Sequence, residues 1–189
     1  MAVEVQELIN RLADASLSEQ RQTMEQLVAL GADAVAPLII VMNSSRGQQA
    51  ALAAKVLSRI EDQRVVPALL SALANMNRVL QTMVINLLGE LRDERALLPL
   101  LELLDSPDSL LQMGATQALR EFHDLRCVAP LIRALELTKS SSIRYTIIEV
   151  LGELGDPCAV EPIRCYKNDE DHHVRRRVEV ALEKLNKPN

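Results

Sequence analysis

Residues 151–162 read Leu-Gly-Glu-Leu-Gly-Asp-Pro-Cys-Ala-Val-Glu-Pro, and this stretch decides the fold. Leu151 and Leu154 close an apolar series that runs back through Val150 and Ile147 to Ile143. Spacings of three and four residues mark one face of a helix. Gly155-Asp156-Pro157 stops that helix and starts another. Asp156 is suited to the N-cap, and Pro157 to the first helical position, where the missing N–H has no partner to lose. Pro162 lies about one turn further on, where it trims the first turn, so a slight bend or a shifted helix start is expected.

Working outward, the same text recurs along the chain. Prolines fall at Pro37, Pro67, Pro99, Pro130 and Pro162, successive positions differing by 30, 32, 31 and 32. Around them stand APLIIVM (36–42), VPALLSAL (66–73), LPLLELL (98–104), APLIRAL (129–135) and EPIRCYK (161–167). Each is preceded by a related phrase: LVALGA (27–32), LSRIED (57–62), LGELRD (88–93), LREFHD (119–124) and LGELGD (151–156), with LEKLNK (182–187) after the last. A fixed period of this length is the signature of a repeat architecture. The pattern places a first helix near 2–14, then pairs near 17–31/33–43, 46–61/63–75, 78–92/94–105, 109–123/125–138 and 141–155/157–168, and a last helix near 171–186.

LGELGDPCAVEP followed by DEDHHVRRRVEVALEKL (169–185) resembles the HEAT-like repeat of the phycobilisome-lyase type. The resemblance covers nearly the whole chain. It implies an all-α fold, a right-handed α-α superhelix of about five and a half helix-pair repeats of roughly 30–32 residues, spanning 1–189 as one solenoid. One such pair cannot bury its own apolar face, and stacking the next pair on it can. The resemblance also implies that second helices line the concave side. The end helices read as caps. Val5, Leu8, Ile9 and Leu12 form one face near the N-terminus, with Glu4, Glu7 and Arg11 opposite. Val174, Val178, Ala181, Leu182 and Leu185 do the same near the C-terminus, against Arg175, Arg176, Glu179, Glu183 and Lys184. A complete, monomeric chain is the expectation.

Asp62-x-Arg64, Asp93-x-Arg95 and Asp124-x-Arg126 recur in register at the turn between paired helices. The resemblance suggests a structural ladder, each Asp capping its own helix and bonding toward a neighbouring repeat's Arg. The series fades at its ends, where Asp156 is followed by Cys158 and the first turn reads Gly31-Ala32-Asp33.

Composition narrows the function classes. Of 189 residues 48% are apolar and only three are aromatic (Phe122, Tyr145 and Tyr166), so the core is aliphatic. Six glycines and eight prolines are too few for an all-β fold. The formal charge of −5 is spread evenly, without the basic domain or stripe of a phosphate-tracking protein. Arg175-Arg176-Arg177 is the sole basic cluster, so nucleic acid is not the expected partner. Cys127, Cys158 and Cys165 are odd in number and lack CxxC spacing, which reads as reduced thiols in a reducing, cytoplasmic setting. The opening residues do not read as a signal peptide, and no apolar run approaches the ~20 residues of a membrane span.

No catalytic constellation emerges, and no cofactor or metal is expected. His123, His172 and His173 show no HExxH and no His-Glu dipeptide. HEAT-repeat di-iron hydroxylases hold their metal on His-Glu pairs. His172-His173 reads as a solvated helix start within Asp169-Glu170-Asp171, where acids suit the N-terminal dipole. Cys127 stands in a core slot and Cys158 in the ladder's Arg slot. Asn75, Asn77 and Arg78 read as a solvated turn, and the Ala- and Gln-rich run at 46–60 as close helix packing.

The least regular stretch is Ile163-Arg164-Cys165-Tyr166-Lys167-Asn168, where polar residues replace the aliphatic run of earlier repeats. It reads either as relaxed burial near the end of the array or as a partner-contact patch of Arg164, Tyr166 and Lys167, with Arg133 one repeat earlier. Tyr and Arg are enriched at binding hot spots. The function expected is a non-catalytic scaffold that holds another protein. The alternative implied by the resemblance is a bilin lyase or its accessory subunit acting on a light-harvesting protein, with Arg133, Arg164 and Tyr166 as candidate pigment contacts.

Overall fold

A computed structural model describes residues 2–14, 16–44, 47–74 and 77–186; Asn75 of the expected polar turn lies outside them. The described residues hold helices and no strand. Backbone contacts gather the chain into two compact units, Met1–Arg95 and Ala96–Asn189.

The first unit contains α1 (Ala2–Asp14), α2 (Leu17–Ala29), α3 (Ala32–Ser44), α4 (Gln48–Leu57), α5 (Val65–Leu73) and α6 (Arg78–Leu91). The apolar face of α1, Val5, Leu8, Ile9 and Leu12, is buried against α2, α3 and α4, while Glu4, Glu7 and Arg11 stay exposed. Helix starts carry their own caps. The Glu19 carboxylate accepts from the backbone N–H of Ser16 at 2.9 Å, and Asn77 Oδ1 accepts from Leu80 N at 3.1 Å. Both satisfy N–H groups that a helix start leaves without partners.

The second unit holds most of α7 (Glu94–Glu102), then α8 (Ser109–Phe122), α9 (Val128–Leu137), α10 (Ser141–Leu154), α11 (Val160–Arg164) and α12 (His172–Leu185). Short 3-10 turns occupy Leu103–Asp105, Leu125–Cys127 and Pro157–Ala159. The last two directly precede α9 and α11, whose third residues are Pro130 and Pro162. This is the shifted start expected of a proline that cannot bond four residues back. Val174, Val178, Ala181 and Leu182 of α12 are buried, and α10 is its main packing partner.

Burial gives the repeat a cleaner period than the prolines do. Leu38, Leu69, Leu100, Leu131 and Ile163 are all 0% exposed, and their numbers differ by 31, 31, 31 and 32. Pro67 stands one position ahead of this register, which is why the first two proline intervals are uneven. Leu27, Leu57, Leu88, Leu119 and Leu151 form the matching 0% exposed series on the first helices. Cys127 falls in the slot of Ala34, Val65, Ala96 and Ala159, and burial pushes its thiol up to about 11.

The fifth second helix departs from expectation. Instead of a helix over 157–168, the α-helical part ends at Arg164. The chain then tightens: Tyr166 N bonds Ile163 O at 3.0 Å and Lys167 N bonds Arg164 O at 3.1 Å, both three residues back. The first helices α6, α8 and α10 end on left-handed residues at one shared position, Arg92 (φ 51°), His123 (φ 49°) and Gly155 (φ 75°), a conformation that glycine adopts without strain. Helices α2 and α4 instead end on right-handed Leu30 and Ser58.

Gly152 sets the spacing of α10 and α12. A Cβ placed there would lie 2.8 Å from Ala181 Cβ and 2.9 Å from Ala181 Cα, closer than side-chain carbons approach. Backbone, not a flexible side chain, would have to move. Gly152→Ala is therefore expected to destabilise the protein by about 1–3 kcal/mol, with Gly152→Val worse; urea unfolding of the two variants checks this.

Candidate binding surface

At the turn edge, each Asp of the ladder opens its second helix. Asp62 Oδ1 accepts from Arg64 N at 2.9 Å and from Arg64 Nε at 2.8 Å, and Oδ2 accepts from Nη2 at 2.7 Å. Asp93 holds Arg95 in the same way, at 2.9, 2.8 and 2.6 Å. Asp124 does so with Arg126, at 2.8 Å to the backbone and 2.9 and 2.6 Å to the guanidinium. The link to the neighbouring repeat corrects the expectation. The Asp grips its own repeat's Arg, and that Arg reaches back to a backbone carbonyl: Arg64 Nη2 to Ala32 O at 2.9 Å, and Arg95 Nη1 to Gln63 O at 2.7 Å. The two-residue step brings the N–H and the guanidinium of the same Arg onto one carboxylate. Asp156 caps Cys158 N at 2.8 Å and has no Arg to extend the series.

The four candidate partner residues have different surroundings. Arg133 on α9 is 58% exposed at its side chain and pairs with Asp105 at 2.5 Å. With Leu137, 68% exposed, and Gln112, the pair lines a groove of about 500 Å³. Arg164 pairs with Glu161 one turn back on its own helix. Lys167 is exposed. Tyr166 is half-buried instead: its hydroxyl donates to Leu135 O at 2.9 Å, and burial is the main cause that raises its pKa. Among the described residues no hydrogen bond or ion pair joins Arg133 to the other three.

Comparison between repeats explains why a tyrosine stands there. Gln81 Nε2 donates to Leu73 O at 2.8 Å, and one repeat later Gln112 Nε2 donates to Leu104 O at 2.8 Å. Each glutamine thereby satisfies a carbonyl at the end of the preceding second helix. Leu135 O, one repeat after Leu104, needs the same service, but the glutamine position is now Arg144. That guanidinium turns away to Asp169, with Nε 2.9 Å from Oδ2 and Nη2 3.3 Å from Oδ1; the two side chains are 11% and 6% exposed. Tyr166 takes over the vacant carbonyl. Sequence reasoning missed Arg144 and Asp169, although the series Gln81, Gln112, Arg144 was legible as a change of residue type in a fixed slot.

The remaining chemistry-bearing side chains are engaged in a similar way. Arg177 pairs with Glu149 at 2.8 Å, bonds the Tyr145 hydroxyl, and lays its guanidinium over the Tyr145 ring at 4.3 Å. Arg175 donates to Asp169 O at 2.7 Å and Glu170 O at 3.0 Å. Two of the three consecutive arginines thus serve the fold. His172 and His173 lie exposed at the start of α12, their ring centres 3.8 Å apart, with Asp171 accepting from His173 N at 2.8 Å. Cys158 and Cys165 are exposed thiols. Among the described residues no group of three or more His, Cys, Asp or Glu could hold a metal ion. At the ends of α8 and α10, Arg120, Glu121, His123, Glu153 and Lys184 line a polar groove of about 780 Å³. There Glu153 is held by Arg120 at 2.6 Å and Lys184 at 3.5 Å.

The paired helices, the regular burial period and the turn-edge ladder define a helical repeat protein of the armadillo and HEAT class. The HEAT repeats family model matches residues 35–120 and again 99–183, most of the chain, and the protein belongs to that family. No curated protein matches it. Among solved structures it is similar to an engineered protein, at 20% identity over 96% of both chains with a TM-score of 0.60. It is similar also to a designed armadillo repeat protein in complex with the peptide (KR)4, at 16% identity over 97% of this chain and 100% of that one, TM-score 0.59. A chain from the complex of CpcE and CpcF of phycocyanin lyase from Nostoc matches over 94% and 93% of the two chains, at 17% identity. The TM-score of that match is 0.43. Among the described residues no helix is long and apolar enough to cross a membrane.

Two outcomes follow from this geometry. Tyr166→Phe keeps the ring but leaves Leu135 O without its donor, and should cost about 1 kcal/mol in chemical unfolding, as should Gln112→Ala for Leu104 O. Hydrogen bonds from Arg64, first from its side chain and then from its backbone, hold the Asp62 carboxyl down to about 2 from an ordinary 3.8. A lowered folded-state value gives stability that is complete above the unfolded value and disappears as pH falls toward the folded one. Stability should therefore drop between about pH 4 and pH 2. Asp62→Asn should be less stable at neutral pH with a shallower acid slope, read from urea unfolding across that range.

Proposed function

We propose that this protein is a non-catalytic scaffold that holds another protein on the outward face of its second helices, the face that HEAT-like resemblance assigns to the concave side. The observation that carries the reading is the character of that face in the first unit. Helix α5 has no charged residue, and α3 has only Asp33 in its first turn. Their outward positions expose Ala36, Ile40, Pro67 and Ser71, with Ile40 66% open to solvent. A lone exposed aliphatic is ordinary; a pair of neighbouring helices whose outward positions carry a single charge, Asp33 at the start of α3, approaches the composition of an interface centre, where charged residues are depleted. In the second unit the slot of Ile40 and Ser71 holds Glu102 and Arg133, both exposed, and Arg164 and Lys167 are exposed at and after the end of α11, which suits a polar rim.

The polar side chains that could have done chemistry support the same reading, since most are spent on caps, carbonyls and ion pairs. Cytoplasmic residence belongs to the proposal and is supported by Cys127, a buried free thiol in a core slot. A monomer belongs to it too, supported by the charged outer faces of α1 and α12.

The test compares affinity capture from native lysate by wild type, by Arg133→Glu/Arg164→Glu/Lys167→Glu, and by Ile40→Asp. Tyr166→Phe serves as a control that changes the fold contact alone. A specific protein retained by wild type and by Tyr166→Phe, and lost by either surface variant, supports the scaffold and locates its face. Retention by every variant moves the site off the second helices. Wild type that captures no protein, or that returns with a coloured pigment, overturns the reading.

A further inference from the structure

We draw no further inference here: the strongest candidate, the polar groove of about 780 Å³ lined by Arg120, His123, Glu153 and Lys184 at the ends of α8 and α10, has both Arg120 and Lys184 already paired with Glu153, and nothing in the structure shows what ligand would displace that carboxylate.

Discussion

An amphipathic helix pair of this length has nowhere to put its apolar face except against the next pair, and everything else in this molecule answers to that constraint. The buried aliphatic series at Leu38, Leu69, Leu100, Leu131 and Ile163 is the constraint made visible, each residue wholly removed from water. Burial of each such side chain contributes roughly 1.5–3 kcal/mol before the entropy of ordering is counted. Polar groups cannot contribute on that scale at a surface, where screening leaves an exposed ion pair worth about 1 kcal/mol or less. The Asp–Arg ladder, with arginine side chains 45–59% exposed, is accordingly a device for register. It fixes the geometry of the turn and offers one donor to the carbonyl of the turn before.

The fold was legible because stacking imposes a period and the period survives in the residues that are buried. Helix pairs, caps and the core slot of Cys127 all follow from apolar spacing and from Asp or Ser at helix starts. Where reading from the prolines lost accuracy, the reason is physical. The repeated proline is the sixth residue of α3 and α7 and the third of α5, α9 and α11, so its place near the helix start is not fixed, and Pro67 could drift by one residue while Leu69 could not. Composition marks 163–168 as irregular, but it does not say that the backbone bonds tighten to three residues there. Tyr166, in the tightened turn, bonds a carbonyl of the preceding repeat.

The candidate site was less legible for the same reason. Tyr166, Arg133 and Arg164 stand out by residue type, yet type does not say which partner a side chain has already taken. Tyr166 and Arg144 are engaged within the fold, Arg177 is stacked on Tyr145, and Arg164 rests on Glu161. What residue type does not flag is a scarcity of charge, and past Asp33 helices α3 and α5 carry none. A face whose exposed residues past Asp33 include alanine, proline, serine and isoleucine is invisible to any search for reactive groups.

The exchange of a glutamine for Tyr166 has a consequence for how such an array can change length. Gln81 and Gln112 reach carbonyls only eight residues away, so a duplicated or deleted repeat carries donor and acceptor together. Leu135 and Tyr166 stand a full repeat apart, and Arg144 pairs with Asp169 across most of the same stretch. Any cut or copy made between them separates a carbonyl from its donor and a buried cation from its anion. A change of repeat number inside the segment from Leu135 to Asp169 therefore costs a hydrogen-bonded carbonyl and a buried ion pair, in addition to exposed links such as Arg95 to Gln63 O that join repeats elsewhere.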